Sequence, residues 1–136
     1  MSKDYQIDNS GIGGTPYLTF AIDTTADKDF VQDDLDDNFT ACVVNDNNSV
    51  GMGSDGDKLF GKVVWVSRQL QEGTVIPALG AVQARGVARF KFVENYEEPV
   101  LNKGVSVFGD GRVISGDRGF VIAIDRVAGT CDVWLG

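Results

Sequence analysis

Apolar and polar side chains alternate with a period of two along much of this chain, the spacing that puts every second residue of a strand on one face. Within residues 17–23 the apolar positions Leu18, Phe20 and Ile22 share a face, which predicts a half-buried strand. A short strand is expected at 41–44, followed by the turn cluster Asn45-Asp46-Asn47-Asn48-Ser49. From Lys58 onward the pattern becomes regular. The uninterrupted run Val63-Val64-Trp65-Val66 suits a strand covered on both faces. Shorter strands at 74–77 and 80–84 flank a turn. Residues 86–93 alternate again, with Ala88, Phe90 and Phe92 on one side and Arg89 and Lys91 on the other. Asp110-Gly111 between the apolar runs 105–108 and 112–114 marks a hairpin, because glycine takes the positive φ that the turn needs. Residues 120–124 form a further strand. In 130–135, Cys131, Val133 and Leu135 face one way and Trp134 the other.

About seven to nine strands at roughly 8–12-residue spacing, with no long helix, indicate an all-β barrel or sandwich. The composition agrees: the chain has 136 residues, 43% of them hydrophobic, with 17 glycines and only 3 prolines. That length fits one domain able to bury a core without disulfides or metals. The stretch Asn9-Ser10-Gly11-Ile12-Gly13-Gly14-Thr15-Pro16 is too rich in glycine to hold a regular element. Residues 1–16 therefore read as an extended, flexible, glycine-rich arm. Residues 17–136 read as a single β domain, acidic and loop-rich over 17–57 and regularly stranded over 58–136.

The net charge of −8 is unevenly placed. Residues 1–57 carry 12 aspartates against Lys3 and Lys28 alone, whereas the remainder is nearly balanced. Aspartates crowd residues 27–37, where their mutual repulsion disfavours a helix and favours turns and caps. Phe30, Val31 and Leu35 allow one short amphipathic turn there. Such an acidic chain lacks the basic surface that nonspecific nucleic-acid binding requires. It contains no histidine, and so no ordinary general base, neutral-pH proton shuttle or commonest zinc ligand. Catalytic triads and most zinc hydrolases are thereby excluded.

The motif-like stretches are weak on chemical grounds. Residues 56–63 match the phosphate-loop spacing up to Val63, which stands where a magnesium-binding Ser or Thr belongs. Strand formers follow where a helix N-terminus should supply its amides. Residues 51–56 fit the glycine spacing of a dinucleotide loop without the helix that must follow it. Asp46 begins a calcium-loop-like run, but Val50 occupies its fifth position and the shorter Asp57 its twelfth. Asp33, Asp34, Asp36 and Asp37 read as a solvated acidic loop, with adventitious calcium as the alternative. No pair among the 20 acidic residues stands out as a glycosidase couple. The expectation is therefore no enzyme, no cofactor and no resident metal. Cys42 and Cys131 have no ligand spacing and read as reduced, buried thiols, with one long-range disulfide as the alternative. No apolar run approaches the roughly 20 residues of a membrane span, and the N-terminus lacks a secretory pattern. The chain is expected to be soluble and made in the cytoplasm.

Aromatic residues are the remaining candidates. Trp65, Phe90, Phe92, Phe108 and Phe120 lie in strands and are most simply core. Tyr5, Tyr17, Tyr96 and Trp134 lie near termini or loops, where large aromatics mark contact surfaces. Together with Ile12 on the arm, these four form the candidate partner-contact set.

Three stretches resemble the small decoration, or cement, proteins that coat the heads of tailed bacteriophages. The first is residues 80–90, a strand that turns through Gly86-Val87 into a second strand. The second is residues 99–113, a Pro99-Val100 segment followed by the hairpin at Asp110-Gly111. The third is the closing pair, Gly119–Asp125 and Gly129–Leu135. The resemblance covers a little over half of the chain. It implies a β-barrel or β-tulip-like sandwich that assembles, often as trimers, on the outer surface of a capsid. There it would bridge neighbouring major capsid proteins, its partners, on the virion surface after synthesis in the host cytoplasm. The alternatives are another virion β-module (tail, baseplate or fibre-associated) and a calcium-dependent carbohydrate-binding module using Trp65, Trp134 or a tyrosine.

Overall fold

The computed structural model describes residues 17–22, 30, 32–67, 70–71, 74–75 and 78–136. The expected arm at 1–16, with Tyr5 and Ile12, lies outside them, as does Val31. The first strand, β1 (Tyr17–Ile22), is followed by the one-turn helix α1 (Gln32–Asp36), β2 (Ala41–Asp46), β3 (Ser49–Gly51) and β4 (Gly61–Ser67). Two short strands, β5 (Leu70–Gln71) and β6 (Thr74–Val75), pair with each other. Next come β7 (Leu79–Gln83), β8 (Val87–Lys91), β9 (Gly104–Val107), β10 (Val113–Gly116), β11 (Phe120–Asp125) and β12 (Thr130–Trp134).

Five strands close a barrel in the order β1-β3-β2-β4-β7. The all-β expectation is met by this barrel together with a β9–β10 hairpin, the β5–β6 pair and a three-stranded sheet ordered β11-β12-β8. The short helix is the expected amphipathic turn. Phe30 just before it and Leu35 within it are buried in the barrel core.

Turn chemistry sets the connections. The β2 strand runs on through Asp46, and Asn48 turns the chain with a left-handed backbone of φ 54°, which asparagine tolerates. The anticipated turn cluster is thus shorter than its sequence suggested. Between β9 and β10, the Asp110 carboxylate accepts from the Arg112 amide at 3.1 Å and from its Nε at 2.9 Å. Gly111 lies against the Phe39 backbone, and its carbonyl accepts from Ala41 N at 2.9 Å. The hairpin tip is thereby fastened to the entry of β2.

Two apolar cores result. One gathers Phe90, Phe92, Val105, Val107, Val113, Val121 and Val133, and the other Ile22, Phe30, Leu35, Val50, Val63 and Val82. Strand β2 serves both: Ala41 and Val43 enter the first, and Cys42 the second. Alternation along a strand makes this sharing possible. The doubly covered strand is therefore β2 and not β4, whose Trp65 is 51% exposed. Cys42 and Cys131 are free, buried thiols in separate cores.

Candidate functional site

The inner side of the three-stranded sheet is fixed by Ala88, Phe90, Val121, Cys131 and Val133, all buried. Alternation then sends the intervening residues outward, and the register joins them across strands. Val87 pairs with Trp134, and Trp134 pairs with Phe120. These three are 47%, 43% and 42% exposed, so an apolar row crosses the outer face at one end of the sheet. Exposed Ile122 adds to it at an irregularity where β11 slips against β12 between Val121 and Ala123. A bulge of this kind re-aims a side chain without breaking the sheet.

The other end of the same face is charged. Arg89 pairs across to Asp132, donating from Nε at 2.7 Å and from Nη2 at 3.1 Å, a two-pronged carboxylate contact. That hydrogen bonding draws the guanidinium pKa further above its usual value. Beyond it, Lys91 pairs with Thr130 and Thr130 with Asp125. Lys91 Nζ donates to Ala128 O at 3.1 Å, and Asp125 Oδ1 accepts from the amides of Val127 and Ala128 at 3.0 Å. The charged end thus carries Arg89 and Lys91 on β8, Asp132 on β12 and Asp125 at the end of β11.

A second apolar patch lies on the barrel wall. Ala81 of β7 stands between Thr19 and Trp65, with exposed Tyr17 and Leu79 on the neighbouring rows. The small Ala81 leaves the Trp65 ring uncovered. Polar groups stand where the barrel meets the three-stranded sheet. Gln83 Nε2 donates to Val87 O at 2.8 Å, and Lys62 Nζ donates to Asn38 Oδ1 at 3.2 Å. Burial lowers the Lys62 pKa, helped by the charge of nearby Arg89.

Tyr96 is exposed, but its groups are engaged. Its hydroxyl donates to Asp55 Oδ2 at 2.8 Å, and its ring meets Phe108 edge-on at 5.7 Å. The hydrogen bond to Asp55 is the main reason that the phenol pKa is pushed up to about 12. Arg112 caps Phe108 and Phe39 at 5.3 and 5.8 Å. This cluster ties loops together. Asp55 belongs to the stretch 51–56 with dinucleotide-loop spacing, and the phosphate-loop-like residues 56–63 follow it directly. The chain here runs beside β9, Gly56 N donating to Val107 O at 2.9 Å, and leads into strand β4 rather than a helix. The calcium-like run from Asp46 forms the β2–β3 hairpin. Among the described residues no three acidic or cysteine side chains converge as a metal site.

Of the anticipated contact residues, Tyr17, Tyr96 and Trp134 are exposed but lie in three different places, and Tyr5 and Ile12 are outside the described residues. Trp65 and Phe120, read as core from the sequence, are on the surface. Phe108 is only partly covered, whereas Phe90 and Phe92 are buried as expected. The signal that finds Phe120 is strand phase: once Val121 faces inward, its neighbour must face out. No protein-family model, curated protein or solved structure matches this chain.

Proposed function

We propose that this chain is a structural virion protein, a decoration protein that binds the outer surface of a phage head and stabilises contacts between major capsid proteins. One observation carries the reading beyond the resemblance in strand and turn pattern. Large apolar side chains are exposed on two different sheets, Val87, Trp134 and Phe120 on one and Tyr17, Trp65 and Leu79 on the other. Contiguous exposed apolar residues mark interaction surfaces. A bridging protein needs two of them, and lattice repetition multiplies modest contacts into a large stabilisation. Residues 1–16 supply a further contact in this reading, adding a strand to a neighbour's sheet edge.

The test mixes the purified chain with heads of tailed phages stripped of their decoration protein and sediments the mixture. Co-sedimentation, with heads more resistant to heat, is the expected result, and removal of residues 1–16 should weaken it while leaving the domain folded. Failure to bind any head, with binding to tails or baseplates instead, would replace the reading by another virion module. Exposed Trp65 beside Ala81 favours a second reading, since a flat uncovered indole is a sugar-stacking platform. Glycan-array binding lost on chelation would support it.

A further inference from the structure

We propose that the free edge of β11, with the apolar groove beside it, is the docking site of this chain's own residues 1–16, held there as an added strand through Tyr5–Asp8. The contact belongs to the unbound chain and stands without the decoration reading. On a head the same residues would leave it for a neighbour's edge.

The three-stranded sheet has two edges, and they are covered differently. Strand β8 is tied down at both ends: Gln83 Nε2 donates to Val87 O at 2.8 Å, and Lys91 N donates to Asn38 O at 3.0 Å. Strand β11 is covered only near its start. Val121 N donates to Lys103 O and Val121 O accepts from Asn102 N, both at 2.8 Å, beside a parallel bridge from Leu101. The phase of the backbone shows what remains open. Phe92 N donates to Gly129 O at 3.0 Å, so Gly129, and with it the alternate residues Cys131 and Val133, turn their backbone groups towards β8. Ile124 and Val121 stand opposite Cys131 and Val133, and therefore point theirs away from β12. The slip between Val121 and Ala123 is what brings Ile124 into this position. Its N–H and C=O face the free side, where among the described residues no strand pairs with them.

The groove along that edge is lined by Pro99, Val100, Leu101, Ile124 and Arg126 and encloses about 550 Å³. Val100 and Leu101 are 54% and 56% exposed, and Arg126 is already paired with Glu98. An open edge flanked by apolar side chains invites a foreign strand unless the chain covers it. A strand laid there offers every second side chain to the groove. In Tyr5-Gln6-Ile7-Asp8 the large apolar residues alternate with polar ones, the pattern that such a site accepts. Reach makes the occupant the chain's own. Strand β1 begins at Tyr17, paired with Gln83, whose side chain touches Val87. From Val87 the register steps through Trp134 to Phe120, about 10 Å across, and Ile124 lies about 13 Å farther along β11. Residues 9–16 span about 26 Å when extended, enough to carry Tyr5–Asp8 to that edge. Tethering then supplies an effective concentration that a second copy in dilute solution does not match.

Amide hydrogen exchange, read residue by residue by NMR on the full chain, tests this. The Ile124 amide should exchange slowly, and Ile7→Asp should speed it about tenfold or more while circular dichroism stays unchanged. Val100→Asp, on the groove side of the contact, should do the same. The protection should be independent of protein concentration. An Ile124 amide that exchanges freely in the full chain, protection indifferent to either substitution, or protection that grows with concentration, as an arm from a second copy would give, would each overturn the proposal. Binding to phage heads is a separate measurement, and neither of its outcomes changes this one.

Discussion

The Arg118 guanidinium donates from Nη1 to the Phe60 carbonyl oxygen at 2.8 Å, across 58 positions of sequence. The same group reaches Leu59 O at 3.3 Å, Ala84 O at 2.9 Å and Leu135 O at 3.2 Å. Phe60 precedes β4 and Ala84 follows β7, both barrel strands, whereas Leu135 follows β12 of the three-stranded sheet. Arg118 thus pins the ends of two sheets together through their backbones. Burial lowers its pKa, yet an arginine stays charged. Replacing it with alanine strands several partly buried carbonyls, and Arg118→Ala should cost about 3 kcal/mol in urea denaturation. Arg118→Lys should recover less than half of that, because an ammonium lacks the planar fork that serves carbonyls on two sides.

Alkaline solution should reveal the two thiols. Burial pushes the pKa of both Cys42 and Cys131 up to about 12. An unfolded chain ionises its cysteines near their ordinary value of 9.0 and the folded chain does not. The stability they contribute is whole below pH 9 and is lost progressively as pH rises towards 12. Each thiol adds about 1.4 kcal/mol per pH unit to that slope. Stability curves for Cys42→Ala and Cys131→Ala should each be flatter over this window. Thiol-directed reagents at pH 8 should label neither residue until the chain unfolds.

Two phenylalanines in one sheet should behave oppositely. Phe90 is fully buried, and Phe90→Ala should cost about 3–5 kcal/mol by thermal or urea denaturation. Phe120, 42% exposed, should cost less than about 1 kcal/mol as Phe120→Ala. Equal losses would mean that the outer face is covered within the single chain.

Gly111 sits at φ 97°, and an added Cβ would lie 2.8 Å from the Phe39 carbonyl. Both the backbone strain and the clash fall on the contact that holds the β9–β10 tip to β2. Gly111→Ala should therefore lower stability by about 2–4 kcal/mol. Gly56→Ala, at φ 91° but facing open space, should cost only about 1 kcal/mol. The difference between the two midpoints in urea isolates the clash from the strain.

Strands with one polar face were legible in full. In β8 and β12 the alternation of Ala88, Phe90 and Phe92 with Arg89 and Lys91, and of Cys131 and Val133 with Trp134, assigned each side chain to its observed face. The reading failed where apolar residues occupy the outer face as well. Trp65 and Phe120 lie in unbroken hydrophobic runs, and period two vanishes when both faces are apolar. That failure coincides with the candidate contact surfaces, because an interaction face looks like core to a one-dimensional pattern. Leu18 shares a phase with Ile22 yet is exposed, since alternation sets direction and not cover. The Val87–Trp134–Phe120 row was illegible for a different reason. It depends on cross-strand register, above all between β8 and β12, where Val87 meets Trp134 from far along the chain, and local sequence does not encode that pairing.

Strand β2 makes a party wall of the stretch from Ala41 to Val43, its alternate side chains furnishing the rooms on either side. Neither room can be emptied while the other stays furnished, so heating should yield a single calorimetric endotherm rather than two. A chain built this way has no loose half to peel off under stress: it holds as one piece or is lost as one piece.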